Sequence, residues 1–216
     1  MRIRFDEQLE QLNEEMINMG NMIEASIGNA VKALMKQDEE LAKKTMAGDE
    51  KIDRTERKIE DLCLRLLLQQ QPVARDLRQI SAALKMITDM ERIGDQASDI
   101  AEIIISAGMN ETNEIPEIDK MASAVLKMVH DSVASYVQRD LELAREVIEQ
   151  DDAVDELFET VKKKLMRLIS AGDEDGSTAI DLIMVFKYLE RIGDHATNIA
   201  EWVEFSITGV HKESHI

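Results

Sequence analysis

The chain is short of most residues that punctuate a fold. It has one cysteine, two prolines, nine glycines and only 3% aromatic residues in 216 positions. A single thiol excludes an intrachain disulfide and points to a reducing compartment, so a cytoplasmic setting is expected. That thiol, Cys63, sits in the apolar run LCLRLLL, which reads as a buried structural position. Two prolines leave long stretches without an enforced helix break. Basic charge is also scarce: 26 Lys and Arg face 44 Asp and Glu, for a net charge of −18. Nucleic acid and anionic membrane surfaces are therefore poor partners, because binding phosphate requires a basic footprint. No apolar run reaches the ~20 residues that cross a bilayer. The opening MRIRFDEQLEQL has no apolar core of the kind a signal peptide needs.

What remains is rich in Leu, Ile, Ala, Met, Glu, Lys and Asp, the composition of long helices. Periodicity predicts helix nearly throughout. Leu9, Leu12, Met16, Met19, Ile23, Ile27, Ala30 and Leu34 step by three and four, and the pattern can run to about Thr45. Gly48 is the expected break, with Asp49 as the N-cap of a second helix lined by Ile52, Ile59, Leu62 and Leu66. That helix should stop before QQQP at 69–72. Leu77, Ile80, Leu84, Ile87, Glu91, Gly94, Ser98, Ala101 and Ile105 line a third, ended by Gly108 and the polar stretch from Asn110 to Pro116.

The order then repeats. Residues 91–102 read ERIGDQASDIAE and residues 190–201 read ERIGDHATNIAE, identical at nine of twelve positions at an offset of 99. Upstream, Val31–Asp53 aligns on Val133–Asp155 at an offset of 102, matching Asp38/Asp140, Asp49/Asp151 and Asp53/Asp155. The chain is thus an internal duplication. An all-α fold follows, two tandem antiparallel three-helix bundles, with units at 1–109 and 110–216.

The repeats carry carboxylates where an apolar seam would place leucine. Glu91 and Glu190 fall on the third-helix ladder, Asp95 and Asp194 follow at i+4, and Gly94 and Gly193 permit close helix approach. Antiparallel threading brings Asp49 and Asp53 to Glu91 and Asp95, and Asp151 and Asp155 to Glu190 and Asp194. Four carboxylates repel one another unless arginines, protons or metal ions intervene. Oxygen-only ligands suit Mg, Mn, Ca or Fe ahead of structural zinc. Salt bridging by Arg92 and Arg191, with Asp89 reaching Arg92 at i+3, is the alternative. His195 could extend the second cluster, though its counterpart is Gln96. His130 reads as a helix-surface residue, and His211 and His215 lie in a polar tail. No Glu-x-x-His pair, nucleophile motif or Gly-rich phosphate loop is present.

QQQPVARDLRQI (69–80), ERIGDQASDIAE and ERIGDHATNIAE together resemble the signatures of the PhoU family of bacterial phosphate-signalling regulators. The similarity spans essentially the whole chain. It implies two bundles related by a pseudo-twofold, in a cytoplasmic, dimeric, non-enzymatic adaptor that restrains a phosphate ABC transporter through its ATPase subunit. It also implies restraint of a phosphate sensor histidine kinase when phosphate is plentiful. The family's E(D)xxxD motifs hold metal ions, with Fe, Mn, Mg or Zn as candidates. Carried over here, they fall on Asp49–Asp53, Glu91–Asp95 and Asp95–Asp99, and on Asp151–Asp155 and Glu190–Asp194. Asn198 stands where the first repeat has Asp99, which implies a weaker second site. A carboxylate-bridged metalloenzyme and a metal-free structural adaptor are the alternative readings.

Overall fold

In a computed structural model, residues 2–69, 72–107, 116–171 and 176–210 are described. The predicted terminators Gln70–Gln71, Gly108 and Asn110–Ile115 lie outside them, as do residues 172–175, His211 and His215. Six helices form: α1 (Arg2–Lys36), α2 (Glu39–Gln69), α3 (Ala74–Ala107), α4 (Glu117–Gln138), α5 (Leu141–Ala171) and α6 (Gly176–Thr208). No strand occurs among the described residues, and none of the helices is long and apolar enough to cross a membrane.

The first helix ends earlier than its periodicity suggests. Gln37 adopts a left-handed backbone (φ 53°), and the Asp38 amide returns to the Ala33 carbonyl at 3.0 Å, a Schellman stop. Asp38 Oδ1 then accepts the Leu41 amide at 3.0 Å and so caps α2. The second repeat does the same one duplication later. Arg139 is left-handed (φ 56°), Asp140 bonds back to Ser135 at 2.9 Å, and Asp140 Oδ1 accepts the Leu143 amide at 3.1 Å. Gly48, the expected break, lies inside α2 with open space around it. A single glycine costs a helix only about 1 kcal/mol, too little to end one that is buried along its length. Asp49 is therefore mid-helix, and its carboxylate is free to face a neighbour instead of capping backbone.

Helices α1, α2 and α3 pack on one another, as do α4, α5 and α6; the two sets meet through α3 on α6 and α1 on α4. The seams predicted for α1 and α2 are buried from Leu12 to Leu34 and from Ile52 to Leu66. The α3 seam differs. Leu77 is 45% exposed, whereas Met86, Met90, Ile93, Ala97, Ile100 and Ile104 are buried. Three neighbours surround α3, so its buried arc is wide and is centred to one side of the predicted ladder. Glu91 then sits at the edge of the arc, half-buried, which lowers the cost of a carboxylate there.

Contacts between α3 and α6 run in reverse order. Asp89 meets His195 and Asn198, Asp99 meets Tyr188, and Arg78 Nε donates to the Ser206 carbonyl at 3.5 Å. The helices are thus antiparallel, and the first two contacts are centred on Gly94 and Gly193. The two ERIGD segments lie abreast at the pseudo-twofold axis.

Candidate metal centre

Gly94 allows α2 to come close. A Cβ there would stand 2.9 Å from Ile52 Cδ1 and 3.3 Å from Asp49 Oδ1. The bare helix face seats Asp49 against α3, one turn from Asp53 and beside Asp95. One oxygen from each of Asp49, Asp53 and Asp95 falls in a set with every separation within 4.8 Å. Opposite ligands are about 4.8 Å apart around calcium and about 4.2 Å apart around the smaller magnesium, so the set has the span of a calcium site and would close slightly around a smaller ion.

The carboxylates of this cluster are short of counter-charge. Asp49 Oδ1 is buried without a hydrogen-bond partner. Burial pushes the Asp49 carboxyl up to about 6, and the neighbouring Asp95, Asp53 and Asp99 add to the rise. Glu91 is raised by burial and then by Asp95, Glu56, Asp53 and Asp49. Asp95 is raised by burial and Asp53, with Arg92 pulling the other way. Asp99 is raised by burial and Asp95, and the Tyr188 hydroxyl directed at it draws it partly back. The nearest ion pair is a loose one, Arg57 to Asp53 at 3.6 Å, and Arg57 is largely exposed. The donor set is all carboxylate, the group that hard cations take.

The second set is arranged differently. Asp151 is half-buried and pushed up to about 6 by burial and by Asp194. Asp155, Asp194 and Asn198 are exposed, and among the described residues these groups do not converge as the first three do. A Cβ on Gly193 would meet nothing closer than Val154 Cγ1 at 3.4 Å, so α5 stands further off. Glu190 is ion-paired with Lys187.

His195 and Asn198 face away from this cluster. His195 Nδ1 lies 2.9 Å from Asp89 Oδ1, and Asn198 Nδ2 donates to the same oxygen at 3.2 Å. Asp89, expected to reach Arg92, is buried and bonded across the repeats instead. Arg92 and Arg191 are exposed and form no ion pair within 4 Å among the described residues. His130 is on the surface as expected, 3.2 Å from Glu24.

Glu56 is the residue that sequence reasoning overlooked. It stands on α2 three residues beyond Asp53 and is raised by burial, Glu60 and Asp53. Its spacing of three from Asp53 and seven from Asp49, on one helix face, was the available signal, masked because its counterpart in the second repeat, Phe158, carries no charge.

The PhoU domain model matches this chain twice, at residues 16–104 and 118–203. The chain belongs to the PhoU family. A PhoU homologue of Clostridium acetobutylicum, named a phosphate-specific transport system accessory protein, is 40% identical over 207 residues, covering 95% of this chain and 94% of that protein. The homologue of the same name from Pseudomonas aeruginosa is 35% identical over 210 residues, covering 95% and 86%. The crystal structure of PhoU from Pseudomonas aeruginosa superposes with a TM-score of 0.89 at 34% identity, over 95% of this chain and all of that one. PhoU from Streptococcus pneumoniae, at 24% identity, shares the fold with a TM-score of 0.88. The two matches to the PhoU model coincide with the two sets of three helices, and the tandem helical architecture is that of the family.

Proposed function

We propose that this chain is a cytoplasmic regulator of phosphate uptake that restrains a phosphate ABC transporter through its ATPase subunit and quiets the partnered sensor kinase, as a homodimer and without catalysis. The observation that carries the reading is the match along nearly the full length to relatives named phosphate-specific transport system accessory proteins. The acidic surface, with a net charge of −18, suits docking on basic faces of such partners. Deleting the gene should switch on phosphate-starvation promoters in phosphate-replete medium; an unchanged reporter would overturn the assignment.

Asp49, Asp53 and Asp95, with Glu91 and Asp99 beside them, are the residues that would hold a hard cation, Mg, Mn or Fe ahead of Zn. Such an ion would neutralise the mutual repulsion and tie α2 to α3. Its role in this reading is structural. Elemental analysis of protein purified without chelator should find metal in the wild type and lose it in Asp49→Asn/Asp95→Asn.

A further inference from the structure

The two repeats treat the same acidic motif differently: besides Asp99 against Asn198, three flanking positions differ. Where the first repeat has Glu56, Glu60 and Thr88, the second has Phe158, Lys162 and Lys187. The alignment is secure, because buried neighbours stay in step: Ile52 with Val154, Ile59 with Val161, Ile87 with Phe186, Met90 with Leu189. Around the first cluster, Glu56 adds to the load on Glu91, and Glu60 adds to the load on Glu56. Around the second, the Lys187 ammonium is ion-paired with Glu190, whose side chain is only 13% exposed. It also lies 5.4 Å from the centre of the Phe158 ring, while Lys162 lies 5.9 Å from the same ring. An ammonium held between a carboxylate and an aromatic face is fixed in place at little desolvation cost. It acts on the cluster, since Lys187 offsets the repulsion that Glu190 exerts on Asp194.

We propose that Lys187, seated on Phe158, is the built-in counter-ion of the second acidic cluster, so that the chain takes up a metal ion only at the first. This rests on the cation reading of Asp49, Asp53 and Asp95 given above. The second cluster draws part of its counter-charge from a lysine on its own helix, and Asp151 stays raised to about 6. The first has the exposed Arg57 paired loosely with Asp53, and Arg92 and Arg191 act on it without an ion pair among the described residues, so the rest of its demand is met from solution.

Metal content and chelator-phase melting separate the two readings. With Mn supplied as the probe, the inference expects wild-type content in Asp194→Asn and loss of metal in Asp95→Asn. It expects additional metal in Phe158→Glu/Lys187→Thr, and that extra metal should be lost on adding Asp194→Asn. Metal that persists in Asp95→Asn and disappears in Asp194→Asn overturns the inference and leaves cation binding intact. Absence of metal from the wild type overturns the cation reading itself. Melting in excess chelator then still decides the role of Lys187. Lys187→Thr should lower the melting temperature and Thr88→Lys should raise it. No change in either variant, or changes of the reverse sign, overturns the counter-ion.

Discussion

Asp49 Oδ1 is aimed at the bare α-carbon of Gly94, where a methyl group would stand 3.3 Å away. The same methyl would press Ile52 Cδ1 at 2.9 Å, and Ile52 is buried. Its counterpart at Gly193 would rest in ordinary contact with Val154. Alanine gains about 1 kcal/mol over glycine in a helix, whereas overpacking costs about 1–3 kcal/mol. Gly193→Ala should therefore stabilise the protein and Gly94→Ala should not. Urea melts in chelator would show this, and equal effects of the two substitutions would refute the close approach. Gly94→Ala should also weaken cation uptake, because Asp49 must move.

Asp89 is a second pressure point. Its carboxylate serves both His195 and Asn198 from inside the α3–α6 seam. Removing it in Asp89→Ala leaves the partly buried His195 without its partner, at a cost of about 1–3 kcal/mol. The loss should appear as a lowered melting midpoint. The same substitution at Glu102, exposed on α3, should leave the midpoint within about 0.5 kcal/mol of wild type.

Acidity should stabilise the cation-free protein. Asp49 and Asp151 both have carboxyls pushed up to about 6 by burial and like charge, above their unfolded value. The folded state then binds more protons than the unfolded state between roughly pH 4 and 6, so stability falls as pH rises through that window. Melting temperature in chelator should be higher at pH 5.5 than at pH 7.5. Saturating Mn should shrink or reverse the difference, because a bound cation favours the ionised carboxylates. A flat profile in chelator would contradict the raised values.

Cys63 should be inert. Burial and the nearby Glu60 push its thiol up to about 12, which leaves almost no thiolate at neutral pH. Iodoacetamide should label the native protein slowly and the urea-unfolded protein readily, as mass spectrometry would record. Fast native labelling would mean that α2 opens at its C-terminal half.

The hairpin at Gln37 offers a simple gain. A left-handed backbone costs a non-glycine residue about 1–2 kcal/mol, so Gln37→Gly should stabilise the protein by up to that amount. Arg139→Gly should gain less, because Arg139 Nη1 donates to Gln79 Oε1 at 2.9 Å and that bond would be lost. Chemical denaturation of the two variants side by side gives the comparison.

The duplication and the apolar seams of α1 and α2 were legible because period and repeat both survive in the residues. Asp38 and Asp140 were visible as a matched pair, yet their capping role was hidden: the left-handed residues before them are Gln and Arg, not glycine. Gly48 drew attention as a breaker, although burial of the whole α2 face outweighs one glycine. The acidic cluster of the first repeat could be assembled from spacing alone, since both motifs lie on antiparallel neighbours. Contacts across the repeats could not. Asp89 with His195 and Asn198 depends on how α3 meets α6, and no periodicity within one helix encodes that. The neutralising role of Lys187 was equally hidden, because it becomes apparent only when its aligned partner Thr88 is considered beside it.

The antiparallel pairing of α3 and α6 bears on ancestry. A single three-helix unit would leave the α3 face that carries Asp89 and Asp99, or the α6 face that carries Tyr188 and His195, without its cover. Before the gene doubled, that unit needed a second copy of itself to cover the same stripe. The present chain is in this sense a dimer whose subunits were joined by a linker. Fusion freed the two halves from having to be identical, and one acidic site could acquire a lysine while the other stayed bare.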